Sequence, residues 1–168
     1  MSTRIMFALL PVLIGYQDAM GQESAGAIST LERLAVRAAV ERHVGPLSQR
    51  HRVAIDPMIV YADEAPGDRN VRRRDASRHA ALTQELGART LPRDSATDCS
   101  ARPCQLREID VYATLAEPVI TGSTAKVTVT TLLQTNTRRG MQYVTVNVLF
   151  EKQGSTWKVS GFEQLGIS

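Results

Sequence analysis

The stretches AKVTVTTLLQ (residues 125–134) and MQYVTVNVLFEKQG (residues 141–154) decide the fold. In the first, Ala125, Val127, Val129, Thr131 and Leu133 fall on alternate positions; in the second, Val144, Val146, Val148 and Phe150 do the same. A period of two sends successive side chains to opposite faces of a strand, so one apolar face is to be covered and the other left open. The same period extends upstream through Ile109, Val111, Ala113 and Leu115, and downstream to Trp157 and Val159 in STWKVSGFEQLGI (residues 155–167). Gly122-Ser123, the cluster from Asn136 to Gly140, and Gly154-Ser155 separate the runs, each a turn signal of hairpin length. The pattern predicts an antiparallel meander of four strands, with one face on helices and the other free for solvent or a partner.

Nearer the N-terminus the period changes. STLERLAVRAAVERHV (residues 29–44) places Leu31, Leu34, Ala35 and Ala38 on one helical face, spaces Ser29 and Glu32 as a capping box and ends at Gly45-Pro46. VAIDPMIVY (residues 53–61) is rich in branched apolar residues but broken by Asp56-Pro57, which predicts a short edge strand or an extended segment. After a polar turn around Pro66 and Gly67, a second helix is expected over residues 71–86, stopped by Gly87. Residues 88–103 then form a long loop. Strands gathered after helices make an α+β domain.

Composition bounds the function. A formal net charge of +3, with 22% charged and 43% hydrophobic residues, describes an ordinary globular chain and offers too little basic excess for a nucleic-acid partner. Arg4 precedes an apolar run from Ile5 to Gly15, and Ala19 and Gly21 stand as small residues before Gln22, the order of a secretory signal peptide over residues 1–21. The run is about half the roughly 20 residues a spanning helix needs and contains Pro11, so cleavage after Gly21 is expected rather than a stable membrane anchor. Residues 22–168 are then a single secreted or periplasmic domain, large enough to bury roughly 70% of its unfolded surface.

Export bears on DCSARPC (residues 98–104), which holds both cysteines. In an oxidising compartment Cys99 and Cys104 are expected to pair, a short staple worth about 2 kcal/mol on the chain-entropy account. A redox pair is more often spaced C-x-x-C, and zinc needs three or four ligands where this neighbourhood offers two; His43, His51 and His79 lie far off in sequence. No metal or cofactor is expected.

With the opening helix TLERLAVRAAVERHV, the strand pair and the ending STWKVSGFEQLGI in view, the chain resembles the nuclear transport factor 2-like superfamily, which includes SnoaL-like cyclases and ketosteroid isomerases. It departs from that pattern where an extended segment replaces an expected helix and where the cysteine-pinned loop is added. The resemblance implies a curved sheet that encloses a cavity with its helices, with function residing in the polar groups that enter it. In related enzymes a carboxylate with a tyrosine or histidine transfers protons.

The best local pair of that kind is Asp75 with His79, four residues apart on the expected second helix; Asp56, Tyr61, Tyr112, Tyr143 and Asn147 are the other pocket candidates. Each has a structural reading beside the functional one: Asp75 as a helix cap, His79 as a buried histidine with its bonds satisfied, the tyrosines as sheet packing. Arg69, Arg72, Arg73, Arg74 and Arg78, flanked by Asp68 and Asp75, read as a solvated helix face. No nucleophile elbow or phosphate loop is present. Two functions follow. One is non-enzymatic binding of a small apolar ligand or protein partner in the sheet–helix cavity, with a homodimer through the open sheet face. The alternative is a small isomerase, cyclase or hydrolase using Asp75 and His79.

Overall fold

A computed structural model describes residues 15–47, 51–61, 70–100, 103–134 and 140–167. The elements run α1 (Gly15–Val44), β1 (Val53–Tyr61), β2 (Asn70–Arg73), α2 (Ala76–Leu86), β3 (Arg89–Thr90), α3 (Arg93–Ala96), β4 (Thr97–Asp98), β5 (Gln105–Leu106), β6 (Val111–Ala116), β7 (Val119–Thr121), β8 (Thr124–Gln134), β9 (Met141–Gln153) and β10 (Thr156–Ile167). The strands lie in the order β10-β9-β8-β6-β1-β2, with β3 added beside β1 and β7 beside β8. β6, β8, β9 and β10 pair antiparallel throughout; Gly154-Ser155 joins β9 to β10 as expected, whereas Gly122-Ser123 joins β8 to the short strand β7 and not to β6. β1 joins β6 in parallel, so the whole sheet is mixed and open. The α+β layout implied by the nuclear transport factor 2-like resemblance is the one observed, a helical layer on one face of a large sheet.

That layer is built from α1 and α2. Leu31, Ala35, Val36, Ala39 and Val40 line one side of α1 and are fully buried against Val111, Ala113, Val127, Val129, Val144, Val146 and Val148 of the sheet, together with Leu82 of α2. The alternate residues of the same strands point the other way, where a smaller cluster joins Ala54, Tyr112 and Leu132 to Ala96 of α3 and to Ile109. The loop 91–110 therefore folds over one end of the face that the helices leave open. Its chain is closed by the Cys99–Cys104 disulfide and by the β4–β5 ladder.

Four expectations are corrected. β1 lies between β6 and β2 instead of at an edge; Pro57 is tolerated because the β1–β6 register shifts between Ile55 and Ile59, and the Pro57 carbonyl accepts the Arg74 N–H at 2.8 Å. Residues 70–73 form β2 in register with β1, and α2 starts only at Ala76, because Asp75 accepts the Arg78 N–H as its N-cap. Gly87 ends α2 in the left-handed region as read. α1 extends back to Gly15 through the expected cleavage position, so Ser29 and Glu32 lie inside it and form no capping box. Finally, the arginine run is not uniformly solvated: Arg72 and Arg73 are exposed, but Arg74 is 4% exposed. Residues 1–14, Pro66 to Arg69 and residues 136–139 lie outside the described residues.

One glycine is fixed by both conformation and space. At Gly140, before β9, φ is +75°, and an added Cβ would stand 2.5 Å from Pro103 Cβ and 2.8 Å from the Cys104 carbonyl oxygen. Pro103 and Cys104 thus pack directly on Gly140 at the start of β9. Gly154 has a similar φ of +62° but open space. Gly154→Ala is expected to cost about 1 kcal/mol and Gly140→Ala about 2–4 kcal/mol, measured by urea unfolding at unchanged m-value; equal losses would remove the docking contact from this account.

Candidate functional site

The register of the meander arranges the helix-free face in rows. Tyr112, Leu132 and Tyr143 form one row across β6, β8 and β9, and Thr114, Thr130 and Thr145 form the next. Over these rows opens a cleft of about 680 Å³, floored by those six residues with Ala116 and Thr128, and walled by Asp56, Met58, Val71 and Arg93. Met58 and Val71 come from β1 and β2, Arg93 from α3. Among the described residues the core fills the space between the helices and the sheet, and this cleft lies on the other face and not in the sheet–helix cavity that the resemblance implied.

At the foot of the cleft Asp56 is 8% exposed and both its oxygens are engaged. Oδ1 accepts the Met58 N–H at 2.9 Å, and Oδ2 accepts the Tyr112 hydroxyl at 2.6 Å. Burial first, and then the bond to Asp56, pushes the Tyr112 hydroxyl well above the ordinary tyrosine range, so it stays protonated and donates. Across the floor, Thr130 and Thr145 share a hydrogen bond of 3.0 Å. Arg93 Nη2 donates to Tyr143 Oη at 3.3 Å, with the guanidinium 5.8 Å from the ring centre.

The other nominated residues lie elsewhere. Asn147 is on the same face one row further on, accepting from Thr128 at 2.7 Å and donating to Glu163 at 2.8 Å. The backbone of Tyr61 pairs with Asn70 at the end of β1, and its side chain is outside the described residues. Asp75 and His79 do not meet: Asp75 caps α2 and accepts from Ser77 and Arg78, while the His79 ring faces Arg74 and Thr90. Because arginine only donates, His79 Nδ1 accepts from Arg74 Nη1 at 3.2 Å, and Nε2 carries the proton given to Thr90 Oγ1 at 2.9 Å. Burial, and then the Arg74 charge, hold the imidazole below its usual range and keep it neutral. Among the described residues no group of three or more histidine, cysteine or acidic side chains is placed to hold a metal. No described helix is long and apolar enough to cross a membrane.

Behind the cleft is a charge network whose members sequence reasoning left on the surface. Glu32 is fully buried in the middle of the apolar face of α1. Its Oε1 lies 3.1 Å from Arg74 Nε and its Oε2 2.6 Å from Arg78 Nε. Arg78 in turn makes a two-pronged contact to Glu117 at 3.2 Å on each prong. Arg74 also donates to the Asp56 carbonyl at 3.4 Å, which ties the network to the irregular turn of β1 that carries the cleft carboxylate. Burial weakens the hold of Arg74 on its proton and Glu32 opposes that effect. The threonine floor was also missed. Its signal was that Thr114, Thr128, Thr130 and Thr145, on the faces opposite the valines, are short hydroxyls where a plain solvent face would carry lysine or glutamate.

Fold and cleft together define an α+β arrangement with a ligand-sized opening on the helix-free face of its sheet. No protein-family model matches the chain, and no curated protein does. Among solved structures it is similar to a designed nuclear transport factor 2-fold protein, a variant of Rd1NTF2_05, at 12% identity and a TM-score of 0.33, over 86% of this chain and 98% of the design.

Glu32→Ala strands the Arg74 charge and is expected to cost about 3–5 kcal/mol in urea unfolding, whereas Glu32→Met with Arg74→Met recovers most of that loss; a double variant no better than the single one contradicts the pairing. For His79 the sign is set by a folded pKa below the unfolded value of 6.5. Stability is full above pH 6.5 and falls as pH drops toward the folded value, because the unfolded chain takes up the proton first. His79→Asn is expected to flatten that part of the stability–pH curve, and an unchanged curve would show that His79 titrates freely in the folded protein.

Proposed function

We propose that this protein is an exported, secreted or periplasmic domain that binds a small, largely apolar ligand in the cleft on its helix-free sheet face, without catalysing a reaction. The observation that carries the reading is the cleft itself: about 680 Å³, within the range of small-molecule sites, with Met58, Val71, Leu132 and Ala116 beside short hydroxyls. Its one carboxylate already holds two internal hydrogen bonds. The Cys99–Cys104 disulfide accords with an oxidising compartment and holds the loop that forms one wall.

The alternative, an isomerase, cyclase or hydrolase working through Asp75 and His79, would need both side chains directed at a common space. Each is committed to other partners, and neither lines the cleft. The homodimer we propose forms through the same sheet face beside the cleft, leaving the threonine rows open to the ligand.

Nile red, a neutral dye, tests the reading. Its fluorescence is expected to rise and shift blue with the wild-type protein, and Thr130→Trp, which fills the floor, is expected to abolish the effect while leaving the melting temperature in place. A ligand held at a hundred times its Kd would add about 2.7 kcal/mol of stability. No response, or a response indifferent to Thr130→Trp, refutes the cleft as a binding site.

A further inference from the structure

We infer that the cleft selects an amphiphilic monocarboxylate, with Arg93 and Tyr143 as the residues that recognise its carboxylate. The inference rests on the cleft being a ligand site and adds the chemistry of what it takes.

Among the described residues two charged side chains line the cleft, Asp56 and Arg93, and they are not equivalent. Asp56 is buried, with both oxygens accepting from protein donors. Arg93 is exposed, and among the described residues no carboxylate forms an ion pair with it. Among the described residues its guanidinium donates to Tyr143 Oη, which accepts and so retains its own proton for another acceptor. Arg93 N–H and Tyr143 O–H therefore form a pair of neighbouring donors at the cleft wall, a match for the two oxygens of one carboxylate.

Asp56 does not cancel this preference. It sits on β1 and Tyr143 on β9, with β6 and β8 between them, a backbone separation of about 14 Å at ordinary strand spacing. The rest of the lining suits an aliphatic tail: Leu132 next to Tyr143, then Ala116 and Met58 toward the far wall. A carboxylate at one end and an apolar chain across the floor satisfy both halves of the site.

Titration calorimetry at neutral pH with decanoate and with 1-decanol separates this inference from the reading beneath it. The wild-type protein is expected to bind decanoate about tenfold tighter than decanol, the difference a charge-assisted pair of bonds supplies. Arg93→Met is expected to remove that preference and leave decanol within threefold of wild type. Tyr143→Phe, which keeps the ring, is expected to weaken decanoate alone. Equal affinities in the wild type, or a preference that survives both substitutions, overturn the carboxylate assignment and leave the cleft as an apolar site. Failure of both probes to bind overturns the assignment and counts against the cleft as well.

Discussion

Alternation along β6, β8 and β9 is the constraint from which the rest follows. One set of side chains, Val111, Ala113, Val127, Val129, Val144, Val146 and Val148, meets α1 and α2 and is removed from water. The other set, Tyr112, Thr114, Thr128, Thr130, Leu132, Tyr143 and Thr145, is thereby committed to the opposite face. A one-residue slip would exchange the two sets, placing threonines under the helices and valines in water, so the hydrophobic term that fixes the core also fixes the floor of the cleft. The cleft needs no separate device to position its floor; it needs walls.

The walls come from two interruptions of regular structure. One is Asp56-Pro57, where the missing N–H breaks the ladder, leaves a register shift, and lets the same short turn face both ways: its carbonyls take bonds from Arg74 on the helical side, while the Asp56 carboxylate takes the Tyr112 hydroxyl on the cleft side. The second is the connection from Leu91 to Asp110, which carries α3 and Arg93 over the end of the sheet and whose disulfide-bonded segment rests against Gly140. Glu32 makes the first arrangement tolerable. Arg74 could not be buried beside the turn without an opposite charge, and Glu32 in the middle of the apolar face of α1 supplies it.

How much of this was legible in the sequence depended on whether a residue acts locally. The four strands of the C-terminal half, the Gly154-Ser155 turn, the two helices and the cysteine pair were readable, because period, turn chemistry and spacing are local properties. Asp75 as a cap was readable for the same reason and had been weighed as the structural alternative to catalysis. Glu32, Arg74 and Arg78 were not. Each looks like an ordinary helix-surface charge until the chain brings positions 46 residues apart in sequence into contact. β1 was misplaced because proline argues against a central strand, and only the register shift and the β2 partner explain why it is allowed there. The resemblance implies a cavity between helices and sheet, whereas among the described residues the packed core occupies that space. The position of Arg93 depended on how a loop folds over, which no periodicity encodes.

The most direct test asks which side of the sheet is open. Because Cys99 and Cys104 are bonded to each other, a single introduced thiol reports alone. Thr130→Cys and Val129→Cys, adjacent on β8, place it on opposite faces, and their reaction with a thiol reagent under native conditions is the measurement. The account predicts that the thiol at position 130 reacts in proportion to reagent concentration from the folded state, while the thiol at position 129 reacts only as fast as the protein unfolds. Protection at 130 with ready reaction at 129 would contradict it.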